Sequence, residues 1–201
     1  MDSNPFDASP FSPLPVERIP GLDSLILEYR EFTPLNYAEI RLNDLENMGV
    51  ELDPDPTEKD FSVLNIKIAA INAQKTRCTT ILNNAIEKES ELEILVREAK
   101  QIYARESRKW KISDVVRKLS SKDLRDAAVD AILEALLDFI SDAEGSLYLA
   151  KSFSKEVKGV ADMLESTNRN VSRQITVLQQ QFAIGEIGRG AQNTYNHKGN
   201  G

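Results

Sequence analysis

The chain has 201 residues, of which 41% are hydrophobic, 28% are charged and only 6% are aromatic, and its formal net charge is −7. Its single cysteine, Cys78, excludes an internal disulfide and a thiolate metal cluster. No stretch approaches the roughly 20 apolar residues of a membrane-spanning helix, and the start lacks the basic and apolar regions of a signal peptide. We expect an all-α protein without membrane contact, located in the cytoplasm or in a particle assembled there.

The charge is distributed unevenly along the chain. Residues 1–60 contain 14 acidic and 4 basic side chains, whereas residues 61–111 contain 6 acidic and 10 basic ones. The other 90 residues are nearly balanced, with 12 acidic and 11 basic side chains. The sequence therefore predicts an acidic N-terminal part joined to a helical body that contains a basic segment.

The first 20 residues contain five prolines, so no long helix or strand can run through them. We interpret residues 1–20 as an extended arm. Such an arm is either disordered or wrapped over a partner. In the second case its partner-contact residues are Phe6, Phe11 and Leu14.

Residues 21–60 are predicted to hold short helices and an acidic linker. One helix covers Leu22 to Phe32, and a second runs from Pro34 to Asn47, since Thr33 can cap it and proline suits its first position. The stretch "VELDPDPTEKD" follows as the linker, because its two prolines and its acids disfavour regular structure.

A long helix is predicted from about residue 61 to residue 109, where the chain has neither Pro nor Gly. One set of positions follows the alternating spacing of three and four residues that is typical of a coiled-coil seam. These positions are 68, 71, 75, 78, 82, 85, 89, 92, 96, 99 and 103. Because such a helix cannot bury its apolar stripe alone, it requires a second long helix.

The second helix is predicted to begin after a serine cap at "SSKDL" and to repeat apolar residues at the same spacing. These residues are at 129, 132, 136, 139, 143, 147, 150, 153, 157, 160 and 164. Gly145 and Gly159 are either tolerated costs or points of close helix approach. The stretch "TNRNVSRQITVLQQQF" either prolongs this helix or follows a break at Thr167–Asn168. Residues 186–201 are predicted to form a flexible, Gly- and Asn-rich tail.

The predicted architecture is a long antiparallel helical hairpin, coiled-coil-like, over residues 61–185. An isolated hairpin leaves apolar residues on its outer faces, so we expect a homo-oligomer or a docked partner.

Residues that could support catalysis are few. His197 is the only histidine and lies in the tail, while the tail glycines lack the lysine and the Ser or Thr of a phosphate loop. The acidic runs lack the order of a calcium-binding loop. We therefore predict that the chain is not an enzyme and has no cofactor and no metal site.

Basic residues are concentrated near aromatic ones between the two long helices. Over residues 105–125, eight basic side chains face three acidic ones, close to Tyr103 and Trp110. Lysine and arginine can neutralise phosphates, and aromatic rings can stack on unpaired bases. The predicted nucleic-acid-binding residues are Arg105, Arg108, Lys109, Trp110, Lys111, Arg117 and Lys118. Alternatively, these basic side chains complement the dipole at a helix C-terminus or meet the chain's own acidic arm.

Four islands over residues 41–185 carry a resemblance to a known family. They are "RLNDL" at 41–45, "IYAR" at 102–105 with Trp110 after it, "LSSKDLRDAAVDAILEALLDF" at 119–139, and Arg169 with Phe182 and Gly185. Together they resemble the UvsY-like recombination-mediator family of T-even and related myophages. The chain departs from that family in its acidic arm, its Gly-rich tail, a shorter connection from Arg105 to Leu119 and a longer second helix.

The resemblance implies a helical protein that forms a ring-shaped oligomer, binds single-stranded DNA, and contacts a RecA-like recombinase and a single-strand-binding protein. By position it assigns DNA contact to Arg105 and its basic neighbours. We accordingly expect a recombination mediator, in the host cytoplasm if a phage encodes it. The alternative is a virion structural or assembly protein, such as a neck, baseplate or scaffold component, whose hairpin and terminal arms contact neighbouring virion proteins.

Overall fold

The computed structural model describes residues 11–31, 45, 48–50 and 61–197, with the backbone alone described for residues 31, 61 and 185–197. Apart from Leu45, the predicted helix from Pro34 to Asn47 lies outside these residues, as do nearly all of the acidic linker and Phe6. Within the described part the chain forms helices and no strand, which confirms the all-α prediction. After a 3₁₀ turn at Val16–Arg18, the helices are α1 (Leu22–Glu31), α2 (Phe61–Lys111), α3 (Asp114–Arg117), α4 (Lys122–Ile132) and α5 (Glu134–His197).

Helix α2 has a buried stripe that repeats every seven residues. The fully or nearly fully buried members of this repeat are Leu64, Ile71, Cys78, Ala85, Leu92 and Ala99. The predicted seam positions between them, such as Ile68 and Leu82, are half-buried or buried. A seven-residue repeat keeps one face of a helix directed toward one partner. The predicted seam is therefore the buried face of α2.

The second long helical segment is interrupted once, at Leu133, between α4 and α5. Ser121 caps α4 as expected, since its Oγ accepts a hydrogen bond of 3.2 Å from the Leu124 N–H. The prediction of one unbroken helix here was wrong. Leu136 N–H donates to Leu133 instead of Ile132, and the freed Ile132 carbonyl accepts from the N–H of Leu14 in the arm at 2.9 Å.

Helix α5 continues through Thr167–Asn168, so the prolongation of the helix is confirmed at that point. Its buried stripe also repeats every seven residues and comprises Leu136, Ala143, Ala150, Val157, Leu164, Val171 and Leu178. The backbone stays helical to His197, whereas the sequence predicted an irregular tail. Extending an existing helix adds a hydrogen bond per residue without a new nucleation cost, which offsets the low helix propensity of glycine.

Gly145 and Gly159, in the first half of α5, are not points of close helix approach. A Cβ added at Gly145 or Gly159 would meet no heavy atom within 4 Å. Gly21, before α1, differs from them because its φ is +91°, a conformation that suits glycine. Of the two alternatives, the first therefore holds: Gly145 and Gly159 each lower the stability of the helix by an amount that the fold tolerates.

The chain divides into two compact units. Unit 1 comprises residues 1–35 and 84–154, and unit 2 comprises residues 36–83 and 155–201. In unit 2, Leu64, Ile71, Val171 and Leu178 form one buried cluster, and Lys75 forms an ion pair with Glu165. The helix segments of this unit are therefore antiparallel.

Unit 1 contains its own antiparallel helix pair. Lys100 forms an ion pair with Glu144, and Glu93 pairs with Lys151 at 2.6 Å. The residue nearer the N-terminus of α2 thus pairs with the residue nearer the C-terminus of α5, as in an antiparallel pair.

No helix within the described residues is long and apolar enough to cross a membrane.

Candidate nucleic-acid interface

Two serine caps shape the connection between α2 and α4 in unit 1. The Ser113 hydroxyl donates to the carbonyl of Trp110 at 2.7 Å and accepts from Val116 N–H at 3.5 Å, which starts the single-turn helix α3. Val116 is fully buried, and Ser121 then caps α4. The basic residues between 105 and 125 therefore lie on ordered helices and caps.

Three of the predicted nucleic-acid-binding residues have acidic partners within the chain. Arg105 and Lys109 both contact Oε1 of Glu106, at 3.0 and 2.8 Å. Lys111 pairs with Asp126 at 2.7 Å. These acids belong to α2 and α4, so the pairs do not test the alternative that the basic side chains meet the chain's own acidic arm.

Glu106 is 6% exposed and is the only charged side chain in the buried class among the described residues. Burial alone would raise the pKa of its carboxyl, but the hydrogen bonds from Lys109 and Arg105 outweigh that effect and lower the pKa below its usual value. The carboxylate therefore stays ionised at neutral pH and acts as a hydrogen-bond acceptor.

The arm packs against this end of unit 1 from residue 11 onward. Nη2 of Arg105 donates to the carbonyl of Pro20 at 2.9 Å. Ile19 and Leu22 are almost fully buried. Arg105, the residue that the resemblance singles out, is thus partly engaged by the arm's backbone and by Glu106.

Arg108, Arg117 and Lys118 have a different environment. All three are exposed, and none forms an ion pair with any residue of the described ranges. Their positive charges are not neutralised by a described neighbour. Of the seven predicted residues, these three are the bases best placed for phosphate contact.

Trp110 is half-buried and lines a groove of about 580 Å³. The groove is bounded by residues of the arm, of α2, of the α3 cap and of the α4–α5 break: Leu14, Arg18, Ile19, Pro20, Glu106, Lys109, Trp110, Ser113 and Leu133. One part of the indole is therefore accessible from the groove.

Tyr103 is placed differently from Trp110. Its hydroxyl donates a hydrogen bond to Oδ1 of Asp130 on α4. Burial and this bond to an acid raise the pKa of Tyr103 to about 12. The side chain thus connects α2 to α4, an organising role that the sequence pattern did not indicate.

The arm residues predicted to contact a partner lie, where described, against the chain itself. Phe11 is half-buried and lines a second groove with Leu119, Leu124 and the alanines 127, 128 and 131. Leu14 is half-buried and its N–H is bonded to Ile132. Contact with a partner by these two residues, and by Phe6, stays a prediction.

Sequence reasoning missed several residues of this region. Glu106 was counted only as an opposing charge, and the roles of Ile19 and Pro20 in lining the groove were not anticipated. Glu106 and Lys109 are three residues apart, which is the i,i+3 spacing of an ion pair on a helix, so the sequence did contain a signal for this pair. The position of Pro20 next to Arg105 had no local signal, because it depends on how the arm packs.

No family model matches the chain, and no match was found among curated proteins or solved structures. Within the described part of the chain, no three His, Cys, Asp or Glu side chains are grouped so that they could hold a metal ion.

Proposed function

We propose that the chain is a non-enzymatic single-stranded-DNA-binding protein of the recombination-mediator type. One observation carries the proposal: Arg108, Arg117 and Lys118 are exposed, lack acidic partners among the described residues, and lie close to the half-buried Trp110 in the sequence. Release of counterions from the phosphates would drive binding, and stacking would make it tolerant of sequence.

The resemblance supports the biological part of this proposal. It implies that the protein assists loading of a RecA-like recombinase and contacts a single-strand-binding protein. The three basic side chains form only a weak site in one copy of the chain, but a homo-oligomer would repeat them and raise the effective affinity for DNA. A phage-encoded chain of this kind would act in the host cytoplasm.

The test is a titration of fluorescent oligothymidine with the full chain at two salt concentrations. A variant with Arg108, Arg117 and Lys118 changed to Ala should bind more weakly. Its salt dependence should also be shallower, by about 2 in the slope of log K against log salt, since each phosphate contact on a single strand contributes about 0.7. Arg105 and Lys109 are kept because they compensate the buried Glu106.

The matched control changes Lys155, Lys158 and Arg173 to Ala. These side chains are exposed on α5 within unit 2, and their removal alters the net charge by the same amount. The control should keep the wild-type slope. No binding of the wild-type chain at low salt, or an equal loss in both variants, would contradict the proposal.

A second candidate, a virion structural or assembly protein, is favoured by exposed apolar side chains on α5. Tyr148 is 72% exposed and Leu149 is 57% exposed. Neighbouring subunits or virion proteins could cover such residues. Sedimentation of the wild-type chain and of Leu149→Glu tests this: a substitution that dissociates an assembly supports it, and a wild-type chain that stays monomeric at high concentration contradicts it.

A further inference from the structure

The groove beside Trp110 combines features that the electrostatic role of the basic cluster does not use. Its volume of about 580 Å³ lies within the range of small-molecule sites, roughly 300–1,000 Å³. Most of its lining is apolar, from Leu14, Ile19, Pro20 and Leu133, with the indole of Trp110 among them. An apolar groove that contains an indole ring suits a planar aromatic ligand.

A buried carboxylate lines the same groove. Oε1 of Glu106 accepts from Arg105 and Lys109. Oε2 accepts no hydrogen bond from any residue in the described ranges. Among the described residues Oε2 is not one of the buried side-chain atoms without a partner, so it is accessible to solvent although the side chain as a whole is buried. An ionised acceptor forms the stronger hydrogen bonds. The free oxygen of Glu106 therefore provides a site for a donor group of a ligand.

The charges of Arg105 and Lys109 make this carboxylate compatible with a polyanion. Two cations contact one anion, so the cluster as a whole is positive. Lys109 and Arg18 are exposed and line the groove. A phosphate on either side of a bound base can thus lie near a lysine or an arginine while the base approaches the carboxylate.

We propose that the groove takes one unpaired nucleobase, which stacks on Trp110 and donates an amino hydrogen to Oε2 of Glu106. This inference rests on the proposed function and deepens it, because it makes Glu106 a specificity-determining residue. The arm is then a wall of the base site, through Leu14, Ile19 and Pro20.

The chemistry of the acceptor predicts which base is preferred. Glutamate accepts from the N4 amino group of cytosine. Thymine carries the O4 acceptor at that position, and its N3–H lies between two carbonyl oxygens that the carboxylate repels. Cytosine should therefore bind better than thymine, although both are pyrimidines of similar size.

The experiment compares oligodeoxycytidine with oligothymidine of equal length, using the full chain. We expect oligodeoxycytidine to bind about fivefold more tightly, a modest discrimination for one hydrogen bond to a charged acceptor. Trp110 is the only tryptophan in the chain, so its fluorescence reports stacking directly. Both strands should quench it, and oligodeoxycytidine should do so at lower concentration.

The variant Glu106→Gln identifies the residue that discriminates. A neutral amide can donate to O4 of thymine, so the ratio of the two dissociation constants should fall to about one or invert. This ratio is informative even though the loss of a negative charge strengthens the binding of both strands. If the variant folds poorly, the ratio of the two dissociation constants measured with the wild-type chain still tests the proposed base site.

The outcomes separate the two proposals. Binding of both strands with equal affinity, or binding without quenching of Trp110, overturns the base site and leaves the single-strand-binding function standing. A preference for cytosine that Glu106→Gln retains overturns the role of Glu106. Absence of binding to either strand overturns both proposals.

Discussion

The helix pair of unit 2 and the basic end of unit 1 are stabilised in different ways. The basic end comprises residues 105–125 and the part of the arm that packs against them. In unit 2, Leu64, Ile71, Val171 and Leu178 form an apolar cluster from two regular helices. At the basic end, a buried Glu106 binds two cations, an arm contributes backbone hydrogen bonds, and the helices are short or interrupted. Regular apolar packing suits a scaffold, whereas the irregular, polar end has the groups that could contact a ligand.

The largest expected effect concerns the apolar cluster. Ile71 is fully buried and Ile66, on the same helix, is 68% exposed. Ile71→Ala should lower the free energy of unfolding by about 2–5 kcal/mol, because it removes buried methyl groups and leaves a cavity. Ile66→Ala should change it by less than about 0.5 kcal/mol. Urea denaturation followed by circular dichroism measures both, and equal effects would contradict the burial pattern.

The two regions also differ in how well the sequence predicts them. The bounds of α2, the buried stripes and the Ser121 cap follow from local pattern, since periodicity and capping depend on residues a few positions apart. The break at Leu133 does not, because it involves the N–H of Leu14 from the arm. Arg105 was predicted from its charge, but its contact with Pro20 depends on the same packing.

A middle-sized effect is expected at Glu106. Glu106→Gln should destabilise the chain by about 1.5 kcal/mol near neutral pH, since hydrogen bonds to a buried charged group are weakened. The folded-state pKa of this carboxyl is lowered. Its stabilising contribution is therefore present above its usual pKa and is lost as pH falls below it.

Thermal unfolding of the wild type and of Glu106→Gln between neutral and acidic pH tests this. The difference in stability should shrink on acidification. Glu165→Gln is the comparison in unit 2, because Glu165 pairs with Lys75 but is 40% exposed at its side chain. It should have a smaller effect near neutral pH. A larger loss of folding stability in Glu165→Gln than in Glu106→Gln would contradict this comparison of the two units.

Gly145 and Gly159 provide one site in each unit for a stabilising change. Gly145→Ala in unit 1 and Gly159→Ala in unit 2 should each raise the free energy of unfolding by about 1 kcal/mol, because the added methyl group meets open space. Gly21→Ala should instead be destabilising, since φ at Gly21 is +91°. Thermal denaturation measures the three variants, and a loss of stability at Gly145 or Gly159 would indicate a contact at that site.

The smallest effect is expected at Tyr103. The pKa of Tyr103 is raised to about 12 by burial and by its bond to Asp130. The contribution of this group is therefore fully present below pH 10 and is lost as pH rises toward 12. The stability difference between the wild type and Tyr103→Phe should stay constant up to pH 10 and then shrink. A difference that stays constant up to pH 12 would show that the hydroxyl bond is not linked to folding.

The central claim, that the basic end is the nucleic-acid interface, can be tested by photo-crosslinking. A single-stranded oligonucleotide with photoreactive bases is irradiated with the full chain, and the modified peptides are identified by mass spectrometry. The account predicts adducts on residues 103–118, with Trp110 among them. Adducts confined to unit 2 peptides, or a pattern unchanged when Arg108, Arg117 and Lys118 are replaced, would contradict it.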